Sequence, residues 1–297
     1  VKSPVLPIKL GSSLYPVGRI VEDRHYGIAG RLNEFPTLID VAINIKDVER
    51  DRWLHSDFQV INNEQFYSKL VTEVATAAVD RSLDRVGSGT AKVIFKIFTK
   101  DNPVPFVREN LIFSKDIAVS CFQELATVVE AFANNAFVPI RPQLIQIDVQ
   151  IENRNLTATV QKLEVNRTEA KPGESIKIRV YLHPFRGTNF CKTFTVKIPD
   201  SISPGKYLLS VRGGSEKPAE ARDNSKNAAP NPGEPLVDSF EELLAGYREN
   251  PQNNELVLEV VEVSDQTGNC NCEPVRLKVP TDYFLTGRLQ QELKIVK

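Results

Sequence analysis

Methionine is missing from all 297 residues, tryptophan occurs once and histidine three times. So few histidines leave few carriers for proton transfer near neutral pH, because imidazole is the side chain whose ordinary pKa lies there. Excess charge of one sign is missing too, since 37 Lys and Arg against 38 Asp and Glu leave a formal charge of -1. That balance supplies no long-range field to gather phosphate backbones or anionic lipid, so nucleic acid is not an expected partner. No apolar run approaches the roughly 18 to 20 residues needed to cross a bilayer, and no cationic start with an apolar core marks a signal peptide. No membrane span is expected. The chain opens at Val1, and the lack of methionine makes residues ahead of it an expectation.

Catalytic signatures are equally scarce. There is no Gly-x-Ser-x-Gly elbow, no Gly-x-Gly-x-x-Gly, no phosphate loop and no His-Glu-x-x-His. His25 stands beside a turn in Asp23-Arg24-His25-Tyr26-Gly27, His55 lies mid-strand with Asp57 on the same face, and His183 precedes Pro184. A nucleophile needs a base within hydrogen-bond reach and the base needs an orienting group. No spacing here supplies that set, so no catalytic residue, cofactor or metal ligand is expected. The four cysteines are divided. Cys121 falls on the apolar face of an expected helix, where it reads as a small buried hydrophobe. Cys270 and Cys272 flank a single residue, too tight for an easy disulfide with each other, whereas either could bridge to Cys191 in an oxidising compartment.

What is present is the balance of a globular protein, 41% hydrophobic and 25% charged, on a chain long enough for two or three domains. Gly and Pro punctuate the stretch to Arg31, marking turns between short strands. Thr37 to Ile45 and Arg52 to Ile61 suit a hairpin. From Glu64 to Leu83 the period becomes helical, with Phe66, Leu70, Val74, Ala77 and Ala78 as the stripe and Asn62 or Asn63 as cap. Thr90 to Thr99 alternates as a strand, and Phe106 to Phe113 can pair with it. Ala118, Cys121, Phe122, Leu125, Val128, Val129 and Phe132 make the clearest helical stripe, with Ser114 as cap and Asn134-Asn135 as its end.

Beyond Leu144 the pattern is β. Ile145 to Ile151, Ile176 to Leu182 and Phe194 to Ile198 alternate wet and buried positions, separated by turns such as Lys171-Pro172-Gly173-Glu174. Strands at this spacing suggest an immunoglobulin-like antiparallel sandwich. Gly213 to Pro235 reads as a linker or surface loop. Ser239-Phe240-Glu241-Glu242 fits a capping box before a short helix, and three further strands close the chain. The expected division is an α+β region over 1–140, a β-sandwich over 141–215, a linker over 216–235 and a C-terminal helix with strands over 236–297.

The run Pro16-Val17-Gly18-Arg19-Ile20-Val21-Glu22-Asp23-Arg24-His25-Tyr26-Gly27-Ile28-Ala29-Gly30-Arg31-Leu32 resembles the segment that follows the catalytic histidine in serine peptidases of the stage IV sporulation protein B (SpoIVB) family. Downstream, Asn134 to Ile140, Pro184-Phe185-Arg186-Gly187 and Pro280-Thr281-Asp282-Tyr283 look like the long C-terminal region of bacterial proteins that carry this domain. The resemblance implies an exported protein whose peptidase domain cleaves a regulatory partner by Ser-His-Asp chemistry. The family's Gly-x-Ser-Gly-Ser-Pro and Gly-His-Pro motifs are not in this chain, so the match is one of architecture. It marks Gly18, Gly27, Ile28 and Gly30 as structural motif residues, the glycines at backbone positions a side chain would obstruct. The implied role is a non-catalytic scaffold or recognition region with a protein partner, outside the cytoplasm at the bacterial envelope. The rivals are an active peptidase whose nucleophile and histidine precede Val1, and an adhesion or carbohydrate-binding module.

Overall fold

The structure, a computed structural model, describes residues 15–83, 87–100, 102–218, 238–263 and 275–296. It is mostly β, with four helices among the described residues. The first described element is an antiparallel hairpin, β1 (Gly18–Arg24) and β2 (Gly27–Leu32), which none of the three larger sheets takes up.

Alternation then builds a five-stranded sheet. β3 (Leu38–Asp47) buries Ile39, Val41, Ile43 and Ile45 and turns Asp40, Asn44 and Lys46 to the other face. It pairs with β4 (Arg52–Ile61) in the expected hairpin. Helix α1 (Tyr67–Leu83) leads to a second hairpin, β5 (Gly89–Thr99) with β6 (Phe106–Ser114). Two short helices follow, α2 (Ile117–Ser120) and α3 (Gln123–Asn134), and then β7 (Pro142–Glu152). β7 runs parallel to β3 and antiparallel to β5, so the order is β4-β3-β7-β5-β6. Helices α1 to α3 cover one face around a core centred on Ile43, Phe95, Phe122 and Ile147. The other face is mixed, with Asp40, Asn44, Asp57 and Gln59 beside exposed Leu38, Trp53 and Ile61.

Two details depart from the pattern. The expected single helix after Ser114 is broken at Cys121-Phe122, though its whole apolar stripe is buried. Ser114 accepts from the Asp116 amide and bonds Ser120 Oγ instead of capping the helix. In α1 the buried face is Tyr67, Val71, Ala75, Ala78, Val79 and Ser82, one position round from the expected stripe, which leaves Phe66 and Leu70 55% and 36% exposed. The small Ala75 and Ala78 let the backbone approach β3 closely, and that contact outweighs the bulk of Phe66.

The second assembly is two sheets over one core. β8 (Thr157–Val165), β10 (Ser175–Pro184), β11 (Phe190–Lys197) and β15 (Phe284–Thr286) make one, in the order β11-β10-β8-β15. β9 (Glu169–Ala170), β12 (Gly205–Gly213), β13 (Glu255–Glu262), β14 (Val275–Pro280) and β16 (Arg288–Ile295) make the other, in the order β14-β13-β12-β16-β9. Ile176, Ile178, Val180 and Leu182 face Tyr207, Leu209 and Val211 in the shared core. The expectation of wholly antiparallel sheets is corrected at two edges, where β15 pairs parallel to β8 and β16 parallel to β9. The Lys171–Glu174 turn forms as its residues demand: Glu174 N donates to Lys171 O at 3.1 Å and Gly173 takes φ of 81°.

Sheet membership does not follow the expected boundaries. β7 lies beyond residue 140 yet is the middle strand of the first sheet. Helix α4 (Phe240–Glu249), expected to group with the last strands, sends Phe240 and Leu244 into the first core. Its start is half of the expected capping box: Ser239 Oγ accepts from Glu242 N, while Glu242 Oε2 accepts from Asp238 N, one residue ahead of the cap. The linker expected over 216–235 falls almost wholly outside the described residues.

Candidate functional site

The motif residues come together on the β1–β2 hairpin. Register sets Ile20 opposite Gly30 and Gly18 opposite Leu32, and Ile28 lies two residues from Gly30. Ile20, Ile28 and Leu32 therefore share one face, and each is at least 67% exposed. Arg19 opposite Arg31 takes the other face, where Glu34 bonds both, at 2.8 and 3.3 Å. The Arg19 guanidinium holds the Glu34 carboxyl below its ordinary range. The hairpin is amphipathic, with the arginines of its charged side ion-paired to Glu22 and Glu34 and its apolar side uncovered by any described element.

The glycines do not act alike. A Cβ on Gly18 would stand 2.1 Å from Arg31 O, and one on Gly30 would stand 3.2 Å from Arg19 O. Gly27 has nothing within 4 Å of such an atom, so the expectation of an obstructed position is corrected there.

The three histidines are dispersed. His25 is exposed at the hairpin tip. On the open sheet face His55 bonds Asp57 Oδ2 at 2.9 Å and Asn44 Oδ1 at 2.7 Å, while Asn44 Nδ2 donates to Asp148 at 2.8 Å. The chain Asp57–His55–Asn44–Asp148 crosses three strands, exposed at Asp57 and His55 and half-buried at Asn44 and Asp148, and no serine or threonine hydroxyl bonds an imidazole among the described residues. His183 bonds Asn189. Cys121 is buried, and burial pushes its thiol well above the ordinary range. Cys191 is exposed on β11, and its expected partners Cys270 and Cys272 lie outside the described residues.

Where the two assemblies meet, a polar cleft of about 240 Å³ is lined by Lys92, Glu109, Gln150, Glu152, Asn254 and Asp282 among others. Its one cation is paired, Lys92 Nζ to Glu109 at 2.9 Å. No three metal-ligating side chains converge among the described residues. Beside it the sequence reading missed a tie. Arg108, 4% exposed, bonds Glu124 at 2.7 Å and donates to the carbonyls of Arg248, Asn250 and Pro251 at the end of α4. It missed a second buried group, in which Glu259 accepts from Arg212 and from Arg276 at 3.0 Å. A charge among mostly apolar neighbours, Arg212 after Leu208-Leu209-Ser210-Val211 and Glu259 within Leu256 to Val260, was the available signal.

A comparison of the chain with protein-family models, curated proteins and solved structures finds no match. No helix among the described residues is long and apolar enough to cross a membrane.

Proposed function

We propose that the chain is a non-catalytic scaffold or recognition region of an exported bacterial protein carrying a SpoIVB-type serine peptidase domain. One observation carries the reading: the segment resembling that family forms an arm outside both cores, with an apolar face that has no second layer among the described residues. A two-stranded hairpin is marginal alone in water, and a one-sided sheet is stable only when its apolar face is covered. Gly18 and Ile28 thereby acquire separate roles, Gly18 in strand approach and Ile28 in the uncovered face. The second assembly, two sheets over one core, is read as an immunoglobulin-like stand that holds the arm-bearing layer at the envelope. Recognition is by a protein partner.

The test is direct. The purified chain, incubated with a serine-reactive fluorophosphonate probe, is expected to take up no label. A labelled serine abolished by Ser-to-Ala replacement would overturn the non-catalytic reading.

A further inference from the structure

A strand at the margin of a sheet carries a row of backbone groups with no neighbour, and proteins guard such margins with lysine, proline, bulges or brevity. The three larger sheets end in β4 and β6, in β11 and β15, and in β14 and β9. All but one of these edges are guarded. β9 and β15 have two and three residues, β11 carries Lys192 and Lys197, and β14 carries Lys278 and Pro280. β6 is met by Asn253, whose side chain donates to Leu111 O. β4 is the exception. It has ten residues without lysine or proline, and its register with β3 runs from Arg52 to Ile61 without a bulge. Among the described residues no group outside β3 bonds the backbone of residues 52–60.

The side chains of β4 select what can pair with it. Leu54 and Phe58 lie on the side that the helices cover, half-buried against the first core, and Trp53, His55, Asp57 and Gln59 lie on the open side. A second copy of β4 laid antiparallel, with the two sheet faces continuous, sets odd-numbered residues opposite odd-numbered ones. Centred on Ser56, this pairs Arg52 through Val60 of both copies. His55 then meets Asp57 of the second copy and Asp57 meets its His55, Leu54 meets Phe58, Trp53 meets Gln59 and Arg52 meets Val60. No like charges stand opposite. The register centred on Asp57 is as long but sets two carboxylates face to face, and any other register of this kind pairs fewer residues. Opposite charge directly across a strand pair stabilises it and like charge destabilises it, so the Ser56 register is self-complementary. His55 and Asp57 are both exposed, which leaves each free to reach across.

We propose that β4 is a dimer interface, at which a second copy of this chain extends the first sheet about a two-fold axis through Ser56. The two five-stranded sheets become one, joined β4 to β4, with the helices of both copies on the same side. The edge amides and carbonyls gain partners, and the flanks of Leu54 and Phe58 gain cover in the same step. The interface uses no residue of the arm, so the dimer and the recognition reading stand or fall separately.

The experiment uses the full chain. Sedimentation over a concentration series is expected to show a dimer of the wild type. Ser56→Lys, which sets two ammonium groups beside the axis, is expected to weaken it at least about tenfold, while Val119→Asp, an exposed site on α2, leaves it unchanged. His55→Asp gathers four carboxylates and is expected to weaken the dimer as well. Exchanging the two residues, His55→Asp together with Asp57→His, is expected to restore it, which a variant that merely misfolds would not do. Register is read by mild oxidation and mass spectrometry of the cross-linked peptide. Ser56→Cys is expected to form a disulfide with its own copy, because directly opposite Cα atoms lie about 4.5–5.5 Å apart. Gln59→Cys, about 20 Å from its copy, is expected to form none. A wild type monomeric at every concentration would overturn the dimer. A dimer that Ser56→Lys leaves intact would overturn its assignment to β4, and a cross-link from Gln59→Cys with none from Ser56→Cys would overturn the register.

Discussion

Glu259 sits in β13 with both oxygens taken by guanidinium groups, Arg212 at 3.0 and 3.2 Å and Arg276 at 3.0 Å. Burial alone pushes its carboxyl up, but the two arginines outweigh burial and hold it below the ordinary range. A depressed carboxylate contributes stability that is complete above its unfolded pKa of about 4.3 and is lost as pH falls through the lower folded value. The wild type is therefore expected to lose stability more steeply below about pH 4 than Glu259→Gln, as measured by urea unfolding across that window. Glu259→Leu leaves Arg212 buried without its counter-charge and is expected to cost about 3–5 kcal/mol at neutral pH. The two arm glycines give a paired contrast. Gly18→Ala forces a methyl against Arg31 O and is expected to raise amide exchange through residues 18–32, while Gly27→Ala, facing open space, leaves exchange unchanged. Neither should move the midpoint of global unfolding, because the arm belongs to neither core.

At the scale of elements, what decides the placement of a helix is the surface it meets. The α1 sequence offers two apolar stripes, and only contact with β3 and β4 selects the one that begins at Tyr67. In α4 the local signal and the tertiary role agree. Ser239 caps the helix as its spacing demands, and Phe240 packs edge-on to Phe132 with ring centroids 5.1 Å apart. Ser239→Ala is expected to cost about 1 kcal/mol and to show as faster exchange in the first turn of α4. Arg108 acts at the other end of this helix. Arg108→Met would strip three carbonyls of their donor and leave Glu124 partly unpaired, so cleavage by a protease between residues 249 and 254 should rise sharply, with the sheets themselves still protected.

Across the whole molecule the chain is interwoven. It leaves the second assembly after β12, contributes α4 to the first core, and returns as β13. Asn253 adds to this, its amide donating to Asn110 Oδ1 and its side chain to Leu111 O. Two cores linked in this way are expected to unfold together, and calorimetry of the wild type should give one transition. Phe240→Ala removes the aromatic anchor, costs the first core about 3–5 kcal/mol, and should split that transition into two. A single transition in the variant would mean that α4 does not couple the cores.

Alternating and helical periods, turn residues and the Ser239 cap marked many of the described strands and helices, because each is a property of neighbours within a few positions, but not β8, β9, β12 or β15. The hairpin at Leu38–Ile61, the Pro172-Gly173 turn and the Ser239 cap were legible for that reason. Partnership across distance was not. That β7 joins the first sheet, that β15 and β16 make parallel edges, that Arg108 grips the end of α4 and that Phe66 stands outside the core all depend on contacts between residues far apart in the chain. Such contacts are settled by shape and burial when the layers meet, and no local pattern encodes which of several apolar faces will find a neighbour and which will be left bare.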